Sequence, residues 1–333
     1  MPFADILGQD LAVNCLQRSL GRGRIGHAYL FAGPEGVGKE KTALALAQAL
    51  NCPASSPDPC GTCSTCRRIA AGSYPDVQRV APAGNSIKID QIRALRQEAY
   101  YRPLEGRRKV YIITEAHKMT EQAANSFLRL LEEPPLYALF LLLTSQQAGL
   151  LPTIISRCQV VPFYPLSPAL IRDKLQRELG LTRERAGVLA VLAGGSWEKA
   201  RELASSDEAG SLRRQVLDLV SLLWDGDQAA RWLEGGELEK AQELPQVLEQ
   251  LRLWFRDLLV LKLTGERELL FNQDQVALLA EREQGYSTRR LIAALEALRE
   301  AQGLLAGNAN TRLVLDVLLG RLLPDRPLAA RRR

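Results

Sequence analysis

Aromatic side chains are scarce in this chain: Phe, Trp and Tyr together make up only 6% of its 333 residues. Long apolar runs are missing too. The longest, Leu136 to Leu143, falls far short of the ~20 residues that a bilayer-crossing helix needs. No internal repeat or low-complexity stretch is present. Met1-Pro2-Phe3-Ala4-Asp5 has neither the basic flank nor the apolar core of a secretory leader. The expectation is therefore a cytoplasmic chain with no membrane partner, whose six cysteines are reduced. A strong charge excess is absent as well. The net +5 is spread along the chain, which tolerates a nucleic-acid neighbour without demanding one. Arg331-Arg332-Arg333 reads as a solvated tail.

What is present is an ordinary globular composition, 46% hydrophobic and 24% charged, on a chain long enough for two or three domains. The first half alternates short apolar strands with helical segments. His27–Ala32 predicts a strand and Lys39–Asn51 a helix. Lys109–Ile113 predicts a second strand, followed by a helix over Thr120–Leu131. Leu139–Thr144 and Gln159–Phe163 predict two more strands. Strands separated by helices imply parallel pairing through crossovers, hence an α/β domain around a central parallel sheet. Pro162, Pro165 and Pro168 break that pattern and suggest a hinge. Beyond Pro168 the reading is all-helical, with helices over Ala169–Leu179 and Arg183–Ala193, then another after Gly194-Gly195-Ser196. Amphipathic spacings such as Val247-Leu251-Trp254-Leu258 and Leu291-Leu295-Leu298 predict a helical bundle at the C-terminal end.

Gly33-Pro34-Glu35-Gly36-Val37-Gly38-Lys39 fits the first seven positions of a phosphate-binding loop and sits between a strand and a helix. Gly33, Gly36 and Gly38 would let backbone amides curl round phosphate oxygens, and Lys39 would reach the β- and γ-phosphates. The eighth position fails. The hydroxyl that should coordinate Mg²⁺ is replaced by Glu40, and Thr42 lies on another side of the helix. The strand Val110–Ile113 leads into Thr114-Glu115, where an Asp-Glu pair would serve the metal and the attacking water. Glu115 keeps the water-activating carboxylate, but Thr114 cannot replace the metal-orienting one. Two lost metal-handling positions argue for weak or absent ATP binding and no hydrolysis.

Cys52, Cys60, Cys63 and Cys66 form C-x₇-C-x₂-C-x₂-C. Four closely spaced thiolates suit a closed tetrahedral site for structural Zn²⁺, and the loop that carries them has too few apolar residues to order itself. Cys15 and Cys158 lie outside that spacing and read as packing residues.

Taken in order, these features resemble the clamp-loader AAA+ family of bacterial DNA polymerase III. The resemblance rests on Phe3–Gln9, the phosphate loop, the four-cysteine insertion, Leu130-Leu131-Glu132-Glu133-Pro134-Pro135, and Leu151–Cys158 with its Ser156-Arg157-Cys158. It implies a RecA-like AAA+ P-loop domain over residues 1–166 with the zinc module at about 52–66. A helical lid over 167–207 and a helical collar over 208–333 would follow. It also implies that Arg157 is an arginine finger supplied in trans, that Thr144 is the first nucleotide sensor, and that Glu198 falls where a second, cationic sensor is usual. Glu40, Thr114 and the Asn308–Leu315 segment make the delta-prime type of subunit the closer match. An active ATPase of the gamma/tau type is the alternative, and an unrelated zinc-stabilised nucleic-acid-binding module is a third. The implied partners are gamma/tau and delta subunits in a hetero-oligomeric ring, the sliding clamp indirectly, and primed DNA, for which Arg93, Arg96, Arg107, Arg108 and Lys109 are candidate contacts.

Overall fold

The computed structural model of the protein describes residues 2–54, 57–205, 208–224, 244–272, 275–306 and 309–325. Arg331–Arg333 and Asn308 lie outside these described residues. The chain divides into two compact units, Met1–Leu170 with Gly194–Glu198, and Ile171–Ala193 with Lys199–Arg333.

The first unit is built on a five-stranded sheet of β1 (Ala28–Ala32), β2 (Val77–Val80), β3 (Lys109–Ile113), β4 (Ala138–Thr144) and β5 (Gln159–Pro162), in the order β2-β3-β4-β1-β5. Every neighbouring pair is parallel, and the register sets Ala28 beside Phe140 and Ala32 beside Thr144. Near-continuous apolar strands follow from a sheet covered on both faces. Alternate residues of one strand feed two separate cores. Tyr29, Phe31, Val110, Ile112, Leu139, Leu141 and Leu143 pack on one face with Leu46 and Ala47. Leu30, Tyr111, Ile113, Phe140 and Leu142 pack on the other with Ile92 and Phe127.

Helices cover both faces: α1 (Asp10–Gly21), α2 (Lys39–Asn51), α3 (Ser64–Ala70), α4 (Ile89–Ala99), α5 (Glu121–Glu132) and the single-turn α6 (Pro152–Ile155). α2 and β3 run where the sequence predicts them. Thr120 is the N-cap of α5 rather than its first residue, its hydroxyl accepting from Ala123 N–H at 3.2 Å. β5 stops at Pro162, as an edge strand tolerates a residue with no N–H to give. Strand β2 and helices α1, α3 and α4 are additional to those expected.

After β5 the described residues hold no further strand. The helices are α7 (Pro168–Leu179), α8 (Arg183–Leu192), α9 (Trp197–Ser205), α10 (Glu208–Trp224), α11 (Leu244–Thr264), α12 (Val276–Glu283), α13 (Thr288–Ala306) and α14 (Thr311–Leu322). Within the second unit, Val247, Leu251, Trp254 and Leu258 are buried on one face of α11, as their spacing requires, and share a core with Leu291 and Leu298 of α13. Asp257 is fully buried among them and satisfied. It accepts from the Phe271 and Asn272 backbone N–H groups at 3.1 and 2.7 Å and from Arg256 at 2.8 Å. No helix among the described residues is long and apolar enough to cross a membrane.

Candidate functional site

The loop between β1 and α2 lies at the carboxyl end of the sheet and starts a helix, so its amides and the α2 N-terminus face the same cleft. Gly36 (φ 69°) and Gly38 (φ 105°) adopt left-handed conformations that glycine takes at little cost. Gly36 is also covered closely. Trp197 N–H donates to its carbonyl at 3.0 Å, and a Cβ at Gly36 would stand 1.9 Å from Ser196 Oγ. Lys39 is buried, and its ammonium donates to the loop's own carbonyls, to Gly33 O at 2.5 Å and to Pro34 O. Burial lowers the Lys39 pKa, while the Glu35 and Glu198 carboxylates pull the other way.

Gly36, Gly38, Lys39, Glu40, Thr114, Glu115, Thr144 and Glu198 line one cleft of about 330 Å³, together with Glu35, Leu143 and Ser145. The structure thus gathers the sequence-predicted loop, strand-end and sensor positions in one place. Gly33 contributes through the carbonyl that receives Lys39. The cleft's charge is unusual for a phosphate site, with four carboxylates against one ammonium. Two of the acids have cations of their own. Glu40 pairs with Arg79 of β2 at 3.1 Å, and Glu115 with Lys118. Glu35 accepts from the Ser145 hydroxyl at 3.1 Å. The Thr114 hydroxyl points at Val80 O, 3.4 Å away, and Thr144 Oγ1 lies 3.1 Å from His117 Nδ1 while accepting from Gln146 N–H at 3.0 Å. Glu115 is the one non-glycine residue with positive φ among the described residues (47°), a conformation costing roughly 1 kcal/mol or more. Sequence reasoning missed Glu35, Arg79, Ser145 and His117. Glu35 is carried by the phosphate loop itself, whereas only the parallel register and the turns after β3 and β4 bring in the other three.

Arg157 follows α6 and does not line this cleft. Its guanidinium is partly exposed, paired with Glu132 at 2.8 Å and donating to Thr153 O at 3.1 Å. Of the five candidate DNA-contacting cations, Lys109 is withdrawn. It is 5% exposed and donates to Glu98 O at 2.9 Å, because it is the first residue of the buried strand β3. Arg108 donates to Leu136 O at 2.6 Å, and Arg93 pairs with Asp90 at 3.4 Å.

The second constellation lies at the far end of α2. Cys52 caps that helix and Cys63 caps α3, where its sulfur accepts from Cys66 N–H at 3.3 Å. The four sulfurs lie within 4.8 Å of one another, with Cys52–Cys60 at 3.6 Å and Cys60–Cys66 at 4.0 Å. Metal–sulfur bonds of ~2.3 Å in a tetrahedron put neighbouring sulfurs ~3.8 Å apart, so the set fits a metal ion as it stands. Hydrogen bonds from the Cys63 and Thr62 backbone hold the Cys60 thiol well below its ordinary pKa, while burial raises that of Cys66. Gly33, Gly36, Gly38, Lys39 and the four cysteines are therefore two sites at opposite ends of one helix.

A phosphate loop on a parallel α/β unit, a four-cysteine cluster that could hold a metal ion at the other end of the same helix, and a separate helical unit define a P-loop-fold protein. The family model for the DNA polymerase III delta subunit matches residues 8–167, and the one for its C-terminal part matches residues 211–323. The delta-prime subunit of Bacillus subtilis DNA polymerase III is 35% identical over 317 residues, covering 93% of this chain and 95% of its own. The chain belongs to this family of DNA polymerase III delta-type subunits. The tau subunit of Escherichia coli is 37% identical over 243 residues, which are 70% of this chain and 37% of that protein. Among solved structures, a DNA polymerase III gamma subunit-related protein from Thermotoga maritima is 23% identical with a TM-score of 0.45, over 95% of this chain and 100% of that one.

Proposed function

We propose that this protein is the delta-prime subunit of a clamp loader, an AAA+ protein that structures the loader ring without turning over ATP. Its AAA+ domain spans residues 1–166, its lid 167–207 and its collar 208–333. The collar joins gamma/tau and delta subunits in a cytoplasmic ring that places the sliding clamp on primed DNA. Zn²⁺ in the four-cysteine cluster is structural, since four thiolates leave no open position for water. Arg157 serves as the arginine finger for the neighbouring subunit's nucleotide. Its exposure and its distance from its own cleft lining support that role.

The observation that carries the inactive reading is the cleft's chemistry. Mg²⁺ in such loops is held by the hydroxyl after the loop lysine and by a carboxylate at the end of the strand that is β3 here. Here the first is a carboxylate committed to Arg79, and the second a hydroxyl directed at Val80 O. The lysine that would meet phosphate is spent on loop carbonyls. The isolated chain should release no phosphate from ATP above background in Mg²⁺. Magnesium-dependent turnover by the purified chain would overturn this reading. The identity to tau subunits favours a second reading, an active gamma/tau-type ATPase, and the same assay separates the two.

A further inference from the structure

Five consecutive backbone N–H groups in the segment entering β3 all end on two side chains. Leu104 donates to Asp76 Oδ1 at 2.8 Å, and Glu105 and Gly106 donate to Asp76 Oδ2 at 2.8 and 2.7 Å. Arg107 and Arg108 donate to Asn51 Oδ1 at 2.9 and 3.1 Å. The segment lacks a ladder or helix of its own up to Lys109, so these two acceptors hold its backbone.

The acceptors are anchored differently. Asp76 is 2% exposed and directly precedes β2, where its carbonyl takes Val110 N–H at 2.8 Å, so it belongs to the sheet. Asn51 is the last residue of α2 and adjoins Cys52. Two more ties run from the cysteine cluster. Gln48 Nε2 donates to Cys66 O at 2.7 Å. Arg68, two residues past Cys66, grips Glu105 in a bidentate pair at 2.6 and 3.0 Å and lies over the Tyr74 ring at 5.3 Å. The described residues between Cys52 and Cys66 bury little apolar surface, so beyond the Gln48–Cys66 hydrogen bond it is metal–thiolate bonds that can fix the end of α2 against the start of α3.

We propose that the metal-loaded cysteine cluster is a clasp on this segment, holding Arg107 and Arg108 in place through Asn51. The inference rests on the metal reading of the cluster. Losing the metal lets the last turn of α2 fray and frees the half of the segment bound to Asn51. The half bound to Asp76 stays with the sheet.

Amide hydrogen exchange, read by NMR on the full chain with one Zn²⁺ bound and after chelation, tests this. The Arg107 and Arg108 amides should exchange ~10-fold faster or more without metal, whereas those of Leu104, Gly106 and β4 should change less than twofold. In Asn51→Ala, which retains the four cysteines, the same two amides should speed up with zinc still bound. Should the stripped chain unfold, Cys60→Ser, altered at the exposed ligand, should show the selective pattern. Unchanged Arg107 and Arg108 exchange, or equal acceleration throughout the α/β unit, would overturn the clasp. A chain that takes up no zinc at all would instead defeat the metal reading.

Discussion

At the scale of single residues, neighbours decide what a side chain is free to do. Glu40 was legible as a misfit in its loop, but its partner was not. Arg79 is 39 residues away in sequence and meets it only because β2 joins the sheet beside β3. The pair is exposed enough that its net worth is at most a fraction of ~1 kcal/mol, so its effect is to occupy the carboxylate rather than to stabilise the fold. Gly106 makes a sharper demand. A Cβ there would lie 2.4 Å from Asn51 Oδ1 and 3.0 Å from the Tyr74 hydroxyl. Asn51 cannot retreat without giving up Arg107 and Arg108, so Gly106→Ala should destabilise the chain by ~1–3 kcal/mol. A lower urea midpoint at unchanged slope is the expected readout.

Among the elements, α2 has the widest consequences, since one rigid helix carries the phosphate loop at its start and the cysteine cluster at its end. Its start was readable because a glycine-rich turn precedes it. β2 was not readable. Four residues with Gln78 and Arg79 in the middle carry too little apolar pattern, and an edge strand needs only one neighbour. In the helical unit, Glu249 ties α11 to α13. Arg252 grips it at 2.5 and 2.9 Å, and Gln302 of α13 reaches it at 3.2 Å. Burial pushes the Glu249 pKa up, but those hydrogen bonds outweigh it and leave it below the ordinary 4.5. The contribution is therefore present above that ordinary value and is lost as pH falls through the lowered one. On acidification from pH 6 to pH 3, the urea midpoint of the unaltered chain should fall more than that of Glu249→Gln, by a difference worth ~1 kcal/mol or less.

For the whole molecule, the decisive prediction concerns assembly. In a ring formed with gamma/tau and delta subunits, Arg157→Ala should lower ATP turnover by ~10³-fold at the site it faces, while this subunit's circular dichroism and melting stay unchanged. Unaltered turnover in that complex would remove the finger role. Local order along the chain was enough to mark four of the parallel strands, the phosphate loop with its substituted eighth position, the cysteine spacing and the helical second half, because each depends on residues close together in sequence. Which cations are spent, which carboxylates share the cleft, and how Asn51 and Asp76 divide one segment were settled only in three dimensions. Parallel strands bring together residues tens of positions apart, and hydrogen bonds act over about 3 Å, so their partners have no signature in a linear pattern.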